Sequence, residues 1–455
     1  MITRRNFLRL CTAAGVMAGP LASLLGAQKS GSNRPNILLM MADDLGYECI
    51  GANGGTSYKT PNLNRLAAEG MRFEHCYAQP LCTPSRVQLM TGIYNVRDYI
   101  DFGSLPSDAT PFSQLFKEAG YATSIAGKWQ LGMDRTMIRQ LGFDEYCLWS
   151  LEADEKTPRY RGPTGFIQNG KELPADKNLY GPDVVSDFLL DFITRNKTRP
   201  FLCYYPMLLP HAPFSPTPDS PMRQNGSERG GVFTRVKNIF GGKEPKKTQY
   251  FPDMVAYMDK IVGKLAAHLE KLGLRDNTLT LFTGDNGTSQ NIHSMLGNKE
   301  VIGAKGSTTD AGTRVPLIAT WPKVAPKGKV SSDLVDFTDF LPTLCAAAAI
   351  PVPRELAIDG RSFLPQLRGD KGRPREWIYC WYSKGGGSAK AVDFARNQRY
   401  KLYRNGQFYD VSTDSLEKHN LPQTSLDEHA KKTRAMLQSV LDKYRDARPE
   451  KLRTA

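Results

Sequence analysis

The stretch LCTPSRVQLMTG, residues 81–92, places the Cys82 thiol two residues ahead of a proline and about one helical turn ahead of Arg86. It reads as the opening of a helix, with Thr83 as N-cap, Pro84 at N1 and Gly92 as the stop. A thiol in front of the positive end of a helix, with a fixed cation beside it, suits an activated nucleophile that meets an anion. Elsewhere, Asp43 and Asp44 form one carboxylate pair, and Asp285 with Asn286 forms a second oxygen-rich pair. These four offer only hard oxygen ligands, which suit Ca²⁺ or Mg²⁺, and their spacing is not that of an EF-hand. No cluster of histidines accompanies them to favour zinc. The chain has only His75, His211, His268, His293, His419 and His429, and His268 falls inside a helical pattern while the last two lie in a polar C-terminal region.

The elements that must position these groups can be read from apolar runs. NILLMMA (36–42), ATSIAG (122–127), FLCYYP (201–206), TLTLFTG (278–284) and PLIATW (316–321) resemble buried parallel strands. Between the third and fourth, Val255, Met258, Ile261, Val262, Leu265, Leu269 and Leu272 recur at helical spacing, with Gly273 as a stop. Strands alternating with helices predict an α/β sheet covered on both faces. Asp43 and Asp44 follow the first strand, Lys128 the second, His211 lies just past the third, and Asp285 with Asn286 follows the fourth. Parallel strands point their carboxyl ends at one edge, where open α/β sheets bind ligands, so these groups are expected to converge there.

Beyond about residue 370, EWIYCWYS, KAVDFA, RYKLYR and QFYDV are short, aromatic and nearly alternating, which predicts an antiparallel sheet. A closing amphipathic helix follows, with Ser425 as N-cap and Glu428 completing a capping box. SKGGGSAK (383–390) reads as a mobile loop and GGKEPKKTQY (241–250) as a basic solvated one. The expected organisation is therefore an export signal over residues 1–27, a catalytic α/β domain over 34–370 and an α+β subdomain over 371–455.

Composition narrows the function. The chain carries 60 Lys+Arg against 46 Asp+Glu, a net charge of +14, which suits an anionic ligand. No compact Lys/Arg block or RNA-binding signature appears, which argues against nucleic acid. The N-terminal TRRNFLRL carries paired arginines followed by a weakly apolar, Gly/Ala-rich segment with Pro20, too short for a membrane span. It reads as a twin-arginine export signal cleaved near Ala27, which implies the twin-arginine translocase as a partner, no stable membrane insertion afterwards, and a periplasmic or extracellular protein. The remaining seven cysteines are Cys49, Cys76, Cys82, Cys147, Cys203, Cys345 and Cys380. They form no CxxC pair, Cys203 and Cys345 sit in apolar runs, and one or two disulfides are compatible with export.

Cys82-Thr83-Pro84-Ser85-Arg86 with Leu89, Thr91 and Gly92 matches the C-x-P-S-R-x-x-L-x-T-G signature. PNILLMMADDLG, TPNLNRLAAEGMRFEHCYA, GKWQLG, LPHAPF, GDNG, GAKGSTTDAGTRVP and FYDVSTDSLEKHNL follow in family order. From about Pro35 to Leu421 the chain thus resembles the type I sulfatases of the alkaline-phosphatase superfamily. The resemblance implies a large, mixed, mostly parallel sheet between helices with a smaller C-terminal α+β subdomain. It also implies that a maturation enzyme oxidises Cys82 to formylglycine, whose hydrate attacks sulfur with one hydroxyl and expels sulfate from the resulting hemiacetal with the other. By the same resemblance, Asp43, Asp44, Asp285 and Asn286 hold Ca²⁺ together with the modified Cys82, with Mg²⁺ the lesser choice. Arg86 stabilises the site, Lys128 and Lys305 clamp sulfate oxygens, and His211 bonds the sulfate or the leaving oxygen. Gln130 stands where relatives commonly carry His, so another base, water or His293, is expected to take the proton during sulfate release. Asp310 stands where relatives often show Glu. The implied substrate is a sulfated carbohydrate. A formylglycine-dependent phosphonate or phosphate ester hydrolase is the nearest alternative enzyme, and a catalytically impaired sulfated-glycan-binding protein is the alternative from another class.

Overall fold

The computed structural model describes residues 34–151, 157–221 and 248–452. The export signal and most of the basic loop at 241–250 lie outside them. Residues 34–455 form one compact unit.

Ten strands build the main sheet: β1 (Asn36–Ala42), β2 (Met71–Tyr77), β3 (Ala122–Lys128), β4 (Glu145–Trp149), β5 (Phe166–Gln168), β6 (Lys171–Glu172), β7 (Phe201–Pro206), β8 (Thr278–Gly284), β11 (Arg314–Thr320) and β12 (Lys329–Asp336). Between β8 and β11 lies a separate hairpin of β9 (His293–Leu296) and β10 (Lys299–Ile302). The order across the main sheet is β12-β2-β11-β8-β1-β7-β3-β4-β5-β6. β1 is parallel to β7 and β8, and β3 is parallel to β7 and β4. All seven residues of β1 are buried because both faces are covered. Ile37, Leu39 and Met41 enter one apolar layer, and Leu38, Met40 and Ala42 the other, as the two-residue strand period dictates. The predicted 255–272 helix spans Phe251–Lys271, and its Met254, Met258, Ile261 and Leu265 fill the second layer.

Three expectations change. The 316–321 run is β11, which is antiparallel to both β8 and β2. The chain leaves β8 at the carboxyl edge, turns through the β9–β10 hairpin there and re-enters beside β8, with none of the long crossover that a parallel return requires. The helix at 82 begins with Cys82 itself, after Leu81, and has no side-chain cap. Thr83 Oγ1 instead accepts from the Gly103 amide at 3.1 Å, so the first turn keeps its donors for something else. At the C-terminal helix, Glu428–Lys443, the cap is Asp427, which accepts from the Ala430 amide at 2.7 Å. Ser425 donates to the Pro422 carbonyl at 2.9 Å inside a short 3₁₀ turn, which removes its hydroxyl from the helix start.

The C-terminal strands β13 (Ile378–Tyr382), β14 (Val392–Arg396), β15 (Tyr400–Tyr403) and β16 (Phe408–Asp410) form the expected antiparallel sheet in sequential order. Tyr379, Leu402, Leu437 and Leu441 belong to the same apolar layer as Ile37 and Val87, so this sheet and its helix share the core of the main sheet. The 383–390 loop is pinned: Tyr99 donates to the Lys384 carbonyl at 2.8 Å, and Ser383 donates to the Gly387 carbonyl at 2.8 Å. All seven cysteines among the described residues are buried and unbridged, which sets aside the disulfides that export would allow between them.

Candidate active site

β1, β3 and β8 deliver their following residues to one edge. Asp43 donates its amide to the Leu209 carbonyl at 3.0 Å, and Asp285 to the Ala42 carbonyl at 2.9 Å, which stitches together the segments that follow β1, β7 and β8. Asp44 adopts a left-handed backbone, φ 63°, a conformation that aspartate tolerates better than most residues. Its amide donates to Asp285 Oδ1 at 3.0 Å, and Asn286 Nδ2 donates to Asp44 Oδ1 at 2.8 Å. Lys305 is placed by its amide bond to the Thr288 carbonyl at 3.0 Å.

Lys128 sits at the end of β3 because Gly127, φ 124°, lets the strand press against β7. A Cβ at Gly127 would fall 1.9 Å from the Pro206 carbonyl oxygen. Gly127→Ala is therefore expected to destabilise the protein by at least about 3 kcal/mol through overpacking and backbone strain. Urea denaturation would measure the loss.

Two buried ion pairs and one half-buried pair follow. Lys128 Nζ lies 3.0 and 2.9 Å from the two Asp43 oxygens. Lys305 Nζ lies 2.8 Å from Asp44, and Arg86 Nη2 lies 2.9 Å from Asp285 Oδ2. Arg86 also donates to the Lys128 carbonyl at 3.0 Å, tying the Cys82–Thr91 helix to β3. His211 Nε2 faces Lys305 Nζ at 3.0 Å and Asp44 at 3.6 Å. Gln130 is buried, left-handed at φ 56°, and its Oε1 has no partner.

The electrostatics are set by burial and by the pairing of carboxylates with cations. Burial opposes ionisation of Asp43 and Asp44, but the positive groups around them, His211, Lys128 and Lys305, outweigh it and hold both below the usual carboxylate range. Burial and the neighbouring Asp43 push Asp285 up to about 6, despite Arg86. Burial also lowers the His211 imidazole against the pull of Asp43 and Asp44. Burial raises the Cys82 thiol although Lys128 and Lys305 pull the other way. A thiol raised in this way stays protonated and is a poor nucleophile.

A divalent cation fits. Asp43, Asp44 and His211 offer ligand atoms that all lie within 4.8 Å of one another. The buried Asn286 Oδ1 has no hydrogen-bond partner, and a cation beside Asp285 would relieve the crowding of three carboxylates.

Of the residues picked from the sequence, Asp43, Asp44, Cys82, Arg86, Lys128, His211, Asp285, Asn286 and Lys305 come together at this edge. His293 does not: it is more than half exposed on the β9–β10 hairpin and pairs with Glu300 at 3.0 Å. Asp310 is paired instead with Arg396, a contact to the C-terminal sheet. Sequence reasoning missed two neighbours. Ser289 donates to Asp44 at 2.7 Å, and Arg159 lies with Nη1 3.1 Å from His211 Nδ1. Arg159 arrives from an irregular segment after β4, where no periodicity or motif marks it.

A mostly parallel sheet covered on both faces, with clustered carboxylates and cations at its carboxyl edge, is the architecture of the alkaline-phosphatase class. Within that class the chain belongs to the sulfatase family, whose model matches residues 35–350. It is a sulfuric ester hydrolase. A second model, described as N-sulphoglucosamine sulphohydrolase, C-terminal, matches residues 305–447. The N-acetylgalactosamine-6-sulfatase of Canis lupus familiaris is 32% identical over 378 residues, covering 76% of this chain and 68% of the relative. The N-acetylglucosamine-6-O-sulfatase of Bacteroides thetaiotaomicron is 26% identical over 532 residues, covering 95% and 91%. A protein solved in complex with its substrate D-glucosamine-2-N,6-O-disulfate superposes with a TM-score of 0.73 at 25% identity, over 91% of this chain and 98% of that one.

Proposed function

We propose that the chain removes sulfate from a sulfated carbohydrate outside the cytoplasm, using a formylglycine made from Cys82 and a Ca²⁺ ion held by Asp43, Asp44, Asp285, Asn286 and the modified Cys82. The observation that carries the reading is the meeting of the oxygen cluster and three cations at the uncapped start of the Cys82–Thr91 helix. The relatives' names place their own sulfate on carbohydrate, which supports the substrate class. The five proposed ligands all offer oxygen, which favours Ca²⁺ over zinc.

When bound, the cation draws charge from sulfate oxygens and lowers the pKa of the attacking hydroxyl. Arg86 and the helix start hold positive potential where negative charge develops. Lys128 and Lys305 bind sulfate oxygens, and His211 hands a proton to the departing alcohol. Gln130 cannot titrate and His293 is turned away on its hairpin, so water takes the proton during sulfate release. The paired arginines of TRRNFLRL support twin-arginine export to the periplasm or beyond. Among the described residues no helix is long and apolar enough to cross a membrane.

The test is mass spectrometry of the peptide carrying Cys82, from protein made in its own host, together with sulfate release from sulfated oligosaccharides before and after chelation. The expected result is an aldehyde at Cys82 and release that chelation stops and Ca²⁺ restores. An intact thiol in that protein would overturn the mechanism.

A further inference from the structure

Three carboxylates at the site are matched by three cations: Asp43 with Lys128, Asp44 with Lys305, and Asp285 with Arg86. Arg159 is a fourth cation. Its side chain is buried, 3% exposed, and among the described residues it has no carboxylate partner. Its guanidinium lies over the Trp149 ring, 4.1 Å from the centroid, and beside His211. Stacking on an indole offsets only part of the cost of burying a charge.

Arg159 is not alone in lacking partners. Its Nε, the Trp149 indole nitrogen and Gln130 Oε1 are all buried without a hydrogen bond. They belong to one neighbourhood: Trp149 is paired with Lys128 across β3 and β4, and Gln130 is two residues past Lys128. Two donors and one acceptor close to Lys128 and His211 are thus left for a ligand to satisfy. A guanidinium with no carboxylate partner among the described residues specifies the ligand further, because a planar fork of donors favours a carboxylate or a second sulfate over a hydroxyl.

We propose that Arg159, with Trp149 and Gln130, forms a sugar-recognition recess beside the sulfate position that selects substrates bearing a second anionic group next to the sulfate ester being cleaved. The inference rests on the sulfatase reading above and adds the charge of the preferred sugar.

The experiment compares matched sugars. N-acetylglucosamine-6-O-sulfate against D-glucosamine-2-N,6-O-disulfate varies a second sulfate, and a sulfated uronate disaccharide against its carboxyl-reduced form varies a carboxylate. Dissociation constants are measured on the Cys82→Ala protein with and without Arg159→Gln, and kcat/KM on the active enzyme with the same change. At least one dianionic sugar is expected to bind about 10- to 100-fold more tightly than its monoanionic partner, with Arg159→Gln erasing that ratio and Arg159→Lys keeping part of it. The loss that Arg159→Gln causes on a monoanionic aryl sulfate should be at least about tenfold smaller than its loss on the dianionic sugar, since that substrate makes no use of the extra charge. Equal losses on both members of each pair, or no dianion preference in the parent, would overturn the proposal. A parent enzyme that hydrolyses no sulfate ester but keeps an Arg159-dependent binding ratio would instead sink the sulfatase reading and leave the recess standing.

Discussion

Replacing Cys82 by alanine is expected to lower kcat/KM on a sulfate ester by at least about 10⁴-fold while leaving the fold unchanged. The side chain is small, sits at the first position of a helix and makes no hydrogen bond that the fold depends on. Cys82→Ser is the more informative change. A serine hydroxyl can attack sulfur, but it has no second hydroxyl with which to expel sulfate. That variant should therefore release one alcohol per molecule and accumulate a stable sulfate adduct at position 82, visible by mass spectrometry. Multiple turnovers by Cys82→Ser at more than a hundredth of the parent rate would show that water cleaves the adduct directly, and that the two-hydroxyl logic is wrong.

Arg86→Met is expected to cost about 3–5 kcal/mol of stability, the range for removing one partner of a buried ion pair. Arg86 and Asp285 are both fully buried, so the variant leaves a carboxylate with no cation where burial and Asp43 already resist its charge. It also cuts the tie from the Cys82–Thr91 helix to the Lys128 carbonyl. The double variant Arg86→Met/Asp285→Leu should recover at least about half of the loss, because no uncompensated charge remains. Equilibrium urea denaturation of the parent, both single variants and the double variant would decide this. A loss under about 1 kcal/mol in Arg86→Met would mean that Asp285 takes up a proton at little cost.

The placement of the site was legible in the sequence to a large degree. β1 and β8 end where the apolar runs NILLMMA and TLTLFTG end, because a strand buried on both faces has no polar position to blur its limits. The residues just past those runs, Asp43, Asp44, Asp285 and Asn286, were then placed at the edge by parallel topology alone. The helix caps were less legible. Thr83 and Ser425 have the right chemistry, but their hydroxyls bond to Gly103 and Pro422, partners that a cap rule cannot see. His293 was attractive only by its distance along the chain from Asp285. The hairpin that carries it turns the ring toward Glu300 and solvent.

What the sequence by itself determined was the chemistry on offer: an oxygen-only cluster, a lone cysteine at a helix start, and a run of strands that must bring them to one edge. Those follow from residue type and from periodicity, which are local properties. The tertiary structure decided which charges are matched. Lys128 finds Asp43 across 85 positions, and Arg86 finds Asp285 across 199. Arg159 reaches His211 across 52 positions, with no carboxylate partner among the described residues. An excess charge at a site is a sum over neighbours, and neighbours separated by such lengths of chain exist only once the sheet is assembled.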